Sequence, residues 1–336
     1  MRVLSWIVAA ASLVLFLALT VTTAWALEPT SAPLPPVKER EMPARMGFIP
    51  QRVDLSHITG QEMPEEFKDY SPPPVSYDWR SLGKVTPVKN QDSCGSCYAF
   101  AALANFESKM LIDGAGTYDF SENNAKECNW YDRNCTGGNY WHLANLFSRE
   151  GTVLETCDPY VAWDASCNTS CPYQKTLLDW RRVCGATVPS ATVLKNYIQT
   201  YGPVYTVLYA GDSSDLTWQS TFGTYNGSST LYYTGVYDPN HAVCIVGWDD
   251  NLSHGGGSGG WIVKNSWGTG WGGTCGYGSE SGYFTIAYGS ARIGEWSSYM
   301  HSWQNYDTNG NLLYYDEGGW TQGWGWPSTT AWGMCK

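Results

Sequence analysis

Eleven cysteines behind an apolar amino terminus constrain this chain more than any other feature. The first segment, MRVLSWIVAAASLVLFLALTVTTAWA, has a short positive start at Arg2 and a long apolar run. Ala24-Trp25-Ala26 then supplies a small-x-small cleavage site, so residues 1–26 are predicted to be a signal peptide. The run from Val3 to Thr20 approaches the length of a membrane span, and an uncleaved anchor is the competing reading. Cleavage puts the mature chain outside the cytoplasm, secreted or periplasmic, where cysteines pair. They are Cys94, Cys97, Cys128, Cys135, Cys157, Cys167, Cys171, Cys184, Cys244, Cys275 and Cys335. An odd number leaves one thiol free or pairs it between chains, and a nucleophile would account for it.

The 336 residues are 43% hydrophobic, enough for one or two packed cores, and only 15% charged. Abundant Gly, Trp and Tyr favour a loop-rich globular protein with much β structure over a coiled coil or a disordered chain. A net charge of −11 argues against a nucleic-acid partner. Residues 27–75 are proline-rich and read as an extended leader. CYAFAALANFESKMLI (97–112) has helix formers with apolar residues at helical spacing, and NYWHLANLFSRE reads as a second helix. The rest of 121–185 is polar, Gly- and Cys-rich and reads as loops between short helices. VLKNYIQTYG predicts a helix ending at Gly202. PVYTVLYA, HAVCIVGWDD, GGWIVKNSWG and SGYFTIAYG predict strands. Helices first and strands later give an α+β class with two segregated halves. From about Ile293 the texture turns aromatic and polar, like the start of another small β module.

The densest chemistry lies in QDSCGSCYAF, Gln91 to Phe100. A zinc knuckle would need a second Cys or His pair at matching spacing, and Cys128 and Cys135 are too far apart. A thioredoxin-like redox pair would need a βαβ setting that is missing. A structural pair is the plain alternative. The fourth reading separates the two roles. Cys97 opens a predicted helix, where unpaired N–H groups favour a thiolate. His241, at the head of an apolar strand, can serve as cationic partner and proton donor. Asn265, on the next strand, can fix the imidazole tautomer. Gln91 and the Cys97 backbone N–H can donate to a developing oxyanion. The other histidines are poorer candidates: His57 precedes the motif, His142 falls on a predicted helix face, His254 sits in a Gly-rich loop and His301 in the tail.

NQDSCGSCYAF, CTGGNY, NHAVCIVGW and WIVKNSWGTGWG resemble successive blocks of the papain-like cysteine peptidases, in the right order over residues 76–292. The resemblance implies a helical lobe carrying Cys97, a β lobe carrying His241 and Asn265, and a protein or peptide substrate in the cleft between. It implies Gln91 in the oxyanion hole, Cys97 as nucleophile, His241 as general acid/base and Asn265 as its orienter. Trp267 would shield the His–Asn bond from water. Gly137 and Gly138 would offer a bare backbone edge to substrate. Tyr140, Val207 and Ala242 would wall the pocket for the residue preceding the scissile one. Bridges Cys94–Cys135 and Cys128–Cys167 are implied. No metal and no cofactor are, and a monomer is expected.

Tyr98 stands where the family most often has Trp. The family's long helical propeptide is not recognisable in residues 27–75, so its latency mechanism is not implied. GFIPQRVDLSHI and the tail resemble secreted microbial members in which a lectin-like module follows the peptidase. By that reading residues 293–336 begin such a module, with cell-surface carbohydrate as a partner, and the sequence stops inside it. A carbohydrate-binding protein on a peptidase scaffold, and a thiol transpeptidase, are the alternative functions. Asp307-Thr-Asn-Gly-Asn311 lacks the downstream Glu of a calcium loop and reads as a hairpin turn.

Overall fold

The computed structural model describes residues 46–53 and 72–306, with two further strands, Leu313–Asp316 and Gly319–Gln322. The chain divides into a unit Met1–Arg40, outside the described residues, and a unit Glu41–Lys336 that contains all the described residues. The expected signal peptide thus lies outside the described residues. Among these, no helix is long and apolar enough to cross a membrane.

Helix α1, Cys97–Ile112, is buried along nearly its whole length. That follows from its sequence, which is apolar on all sides and rich in alanine, so neighbours pack on every face. Short helices α2 (Glu122–Glu127) and α3 (Tyr140–Arg149) flank it. Each starts at a capping side chain, Ser121 accepting from Asn124 N and Asn139 accepting from His142 N. Together they enclose Tyr98, Phe106, Phe120, Leu143 and Phe147.

The other half is a seven-stranded sheet of antiparallel pairs. Its strands are β1 (Ser76–Asp78), β2 (Lys175–Arg182), β3 (Val204–Leu208), β4 (His241–His254), β5 (Gly257–Lys264), β6 (Tyr283–Ala287) and β7 (Glu295–Asn305). The order is β2-β7-β3-β4-β5-β6, with β1 also on β4. A second core, around Ile245, Trp248, Trp261 and Phe284, fills this half. Helix α4, Ala191–Tyr201, ends at Gly202, whose φ of 109° suits glycine. A Cβ there would also meet Ile112 Cδ1 at 2.4 Å, so this glycine lets α1 and α4 approach. Helix α5 is Leu216–Gly223.

The predicted α+β class and its two lobes stand. Strands β2 and β7 and helix α5 were not foreseen. KTLLDWRR carries four charges and reads as loop, yet its charged side chains find partners. Asp179 meets Arg181 at 3.2 Å and His301 of β7 at 3.1 Å. β7 begins three residues past the boundary at 292 and lies between β2 and β3, so the sheet runs on where the sequence changes texture. Beyond Tyr306, β8 (Leu313–Asp316) and β9 (Gly319–Gln322) form an antiparallel hairpin. The 307–311 turn, Cys335 and the side chains expected to meet carbohydrate lie outside the described residues.

Candidate active site

The start of α1 and the start of β4 meet at the sulfur of Cys97. Ala242 N lies 3.4 Å from Cys97 Sγ, so the residue after His241 touches the thiol. The β3–β4 register, with Leu208 opposite His241 and Val207 opposite Ala242, sets this end of the strand. Asn265 follows β5 directly, and Cys244 pairs with Lys264 in the register that carries it alongside β4. His241 Nε2 and Asn265 Oδ1 are 2.8 Å apart, a bond in which the ring nitrogen donates to the amide oxygen. Asn265 Oδ1 also accepts from Ser266 N at 2.9 Å. The Trp267 ring sits 5.0 Å from the imidazole, and Phe222 packs edge-on to Trp267 at 5.2 Å. His241 and Asn265 are almost wholly buried.

Gln91, also buried, is held from several sides. Its Oε1 accepts from Ser266 Oγ at 2.5 Å, and its Nε2 donates to Cys94 O at 2.7 Å. Cys94 is bonded to Cys135, and Cys128 to Cys167. A third bridge joins Cys157 to Cys171. Among the described residues Cys97, Cys184, Cys244 and Cys275 are free thiols. Behind α1, Lys89 Nζ reaches Glu107, Asp119 and Glu122 at 2.8, 2.7 and 2.9 Å. Lys264 of β5 donates to Thr86 O at 2.7 Å, while Thr86 Oγ1 donates to Glu107 at 2.6 Å. This network ties the sheet to α1.

The cleft is occupied by the chain itself. Residues 46–49 run across it as an extended strap. Phe48 N donates to Asn240 O at 3.0 Å on the β side, and Ile49 N donates to Gly138 O at 2.9 Å on the helical side. Gly138 N donates back to Gly47 O at 2.8 Å, and Asn139 Nδ2 to Ile49 O at 2.9 Å. The bare backbone expected at Gly137 and Gly138 is therefore engaged by the strap. A Cβ on Gly138 would strike the Tyr98 ring at 2.7 Å. One on Gly137 (φ +105°) would strike Gly47 O at 2.6 Å. Phe48 is buried in the cluster that holds Tyr140, Val207 and Ala242, its ring 6.1 Å from Trp296.

The strap changes the sulfur's chemistry. Sequence reasoning expected an ionised thiolate. Here burial pushes the Cys97 thiol up to about 12, and the backbone N–H groups of Ala242, Gly47, Tyr98 and Cys97 only partly oppose that rise. A dehydrated sulfur holds its proton. Gly47 sits on the sulfur, so the strap contributes both the burial and one of the opposing donors.

Sequence reasoning missed Ser266, Asn240 and the strap. Ser266 stands inside the KNSWG string, and its partnership with Gln91 spans 175 positions. Asn240 acts through its carbonyl, which leaves no side-chain signal. The strap lies in a leader whose Gly-Phe-Ile has no periodicity to report a docked segment.

Residues 73–301 match the model of the papain family cysteine proteases. The chain belongs to that family. It is 34% identical over 203 residues to a viral cathepsin of Heliothis zea nuclear polyhedrosis virus, covering 59% of this chain and 50% of that relative. The chain thus spans about half the length of that curated relative. The digestive procathepsin L2 proteinase of Tenebrio molitor larval midgut superposes with a TM-score of 0.64 at 27% identity, over 77% of this chain and 78% of that one. The bromelain protease of Ananas comosus, solved with the E64 inhibitor, gives 0.55 at 27% identity, over 68% and 99%.

Proposed function

We propose that this chain hydrolyses peptide bonds through an acyl-thioester on Cys97, and that residues 46–49 hold it latent until they are removed. His241 takes the thiol proton to form a thiolate–imidazolium pair, and the thiolate then attacks the substrate carbonyl, forming the C–S bond. The same imidazolium gives that proton to the leaving amine as the C–N bond breaks. Water then loses a proton to His241 and adds to the thioester, and the C–S bond breaks to free the acid and restore the thiolate–imidazolium pair. Asn265 holds Nε2–H, which leaves Nδ1 as the nitrogen that exchanges the proton. Gln91 Nε2 and the Cys97 N–H stabilise the tetrahedral oxyanion.

The observation that carries this reading is the 3.4 Å contact between Cys97 Sγ and Ala242 N, with the neighbouring His241 anchored on Asn265. Cys97, His241 and Asn265 come from three separate segments, and the start of β4 reaches the sulfur at the start of α1. The strap supports a substrate reading of the cleft, because it uses backbone bonds to both lobes and puts an aromatic side chain in the apolar pocket. A peptide presenting a large apolar residue to Tyr140, Val207 and Ala242 is the expected substrate class. The amino-terminal signal and three disulfides suit a secreted protein.

Hydrolysis of a fluorogenic peptide amide tests both parts. The full chain should be nearly inactive, and cleavage between residues 53 and 72 should release activity that Cys97→Ala abolishes. Full activity in the untrimmed chain would remove the latency. Activity surviving in trimmed Cys97→Ala would remove the thioester.

A further inference from the structure

We propose that Tyr160 is a positioning residue for the oxyanion site, its hydroxyl locking the segment of Gln91 to the start of the helix that carries Cys97. The proposal rests on the reading of Gln91 and the Cys97 N–H as the two oxyanion donors.

Tyr160 Oη donates to the Gln91 carbonyl at 2.8 Å and lies 2.7 Å from Ser96 Oγ. A carbonyl can only accept, so the phenol's proton goes to Gln91 and Ser96 must donate to the phenol. The result is a relay in one direction, Ser96 O–H to Tyr160 O–H to Gln91 C=O, in which each bond polarises the next. Ser96 is the residue just before Cys97, and Gln91 bears the side-chain donor. One hydroxyl therefore joins the two segments whose donors must converge on one oxygen.

Ser96 gives an independent sign of this role. It occupies the N-cap position of α1, where a serine hydroxyl ordinarily accepts from a backbone N–H of the first turn. Here it makes no such bond. Its hydroxyl is fully buried and turned to Tyr160 instead. The helix that presents the nucleophile gives up a local cap for a link to the oxyanion segment.

Tyr160 is itself well held. Its ring packs edge-on to Phe100 of α1 at 4.8 Å, and its backbone N–H donates to Glu155 Oε1 at 2.7 Å. Cys157, three residues earlier, is bonded to Cys171, and Ser121 Oγ donates to Asp158 O at 2.6 Å. The disulfide whose pairing the sequence left open thus closes the loop that delivers this hydroxyl.

The test is steady-state kinetics of the trimmed enzyme. Misplacing catalytic groups by an ångström can cost up to about 10²-fold, so Tyr160→Phe should lower kcat by roughly 10- to 100-fold. KM should stay within about twofold, since substrate contacts are untouched. In a Gln91→Ala background the same change should cost less than about threefold, because the donor it positions is gone. A merely structural loss would multiply instead. Unchanged kcat in Tyr160→Phe, a loss confined to KM, or an undiminished loss in the Gln91→Ala background would overturn the proposal. If Gln91→Ala is crippled while Tyr160→Phe is normal, only this proposal fails. If Gln91→Ala is itself normal, the oxyanion reading fails and the proposal with it. Should Tyr160→Phe not fold, Ser96→Ala removes the other link of the relay and carries the same expectations and the same refutations.

Discussion

At the scale of single residues the catalytic proposal depends on where a few protons and lone pairs go. Cys97 can act only when water reaches it, since burial under Gly47 pushes its thiol up to about 12. In the strapped chain its alkylation by a small thiol reagent should stay slow through neutral pH and rise only in strong alkali. After trimming, the imidazolium of His241 and the helix start should make the sulfur react well below pH 8. Rates of iodoacetamide incorporation against pH would show this, and identical profiles before and after trimming would contradict it. Gln91→Ala should lower kcat by about 10²–10³ and leave the fold intact, measured by peptide hydrolysis beside a thermal melt. Gln91, Cys97, His241 and Asn265 were legible as a candidate set because each sits in a compact string whose residue types suit the proposed chemistry. Ser266 and Tyr160 were not, since a serine or a tyrosine in a loop has many structural uses. Only the fold reveals that these two hydroxyls hold the same glutamine.

Among the elements, the strap is held by backbone bonds to Gly138 and Asn240 and by burial of Phe48. Full burial of such a side chain contributes about 1.5–3 kcal/mol, so Phe48→Ala should leave the untrimmed chain measurably leaky. Gly47→Val should release it further, because a Cβ at that position would lie 1.7 Å from Gly95 O. Peptide hydrolysis by the untrimmed variants checks the order, wild type below Phe48→Ala below Gly47→Val. A strap variant no more active than wild type would show that something else closes the cleft. Helices α1, α3 and α4 and strands β3 to β6 were legible, being long apolar runs bounded by Gly, Ser or Asn. Strand β2 was hidden by its four charges. Asp179 meets Arg181 and His301, Lys175 donates to Asn305, and Arg182 donates to Cys184 O, and the partners on β7 are ones no local pattern foretells. Helix α5 was hidden by its short length and mixed composition, and its start is fixed by Asp215, which accepts from Trp218 N. Strand β7 was hidden by aromatic residues that read equally well as a new module.

For the whole molecule, stability and activity both depend on groups buried between its layers. His142 of α3 is held neutral, burial and the nearby Arg133 lowering it to about 4. The unfolded chain protonates this imidazole near its ordinary 6.5, so it binds more protons than the folded chain between those values. Stability from this residue is complete above about pH 6.5 and lost as the pH falls towards 4, by about 3 kcal/mol at most. His142→Gln should flatten that part of the acid limb in urea titrations from pH 7 to 4, and an unchanged slope would contradict the assignment. The two-lobe plan was legible in outline because helices α1 to α3 precede most of the strands, although β1 comes before them and α4 and α5 fall among the strands. The closure of the cleft was not, since it joins residues 46–49 to Gly138 and Asn240 through backbone atoms alone. The most direct measurement is labelling of the trimmed protein with a peptidyl epoxide, followed by peptide mapping. Modification should fall on Cys97 alone, sparing Cys184, Cys244 and Cys275, and should vanish in Cys97→Ser along with peptide hydrolysis. Label on another cysteine with Cys97 untouched, or hydrolysis persisting in Cys97→Ser, would contradict the account.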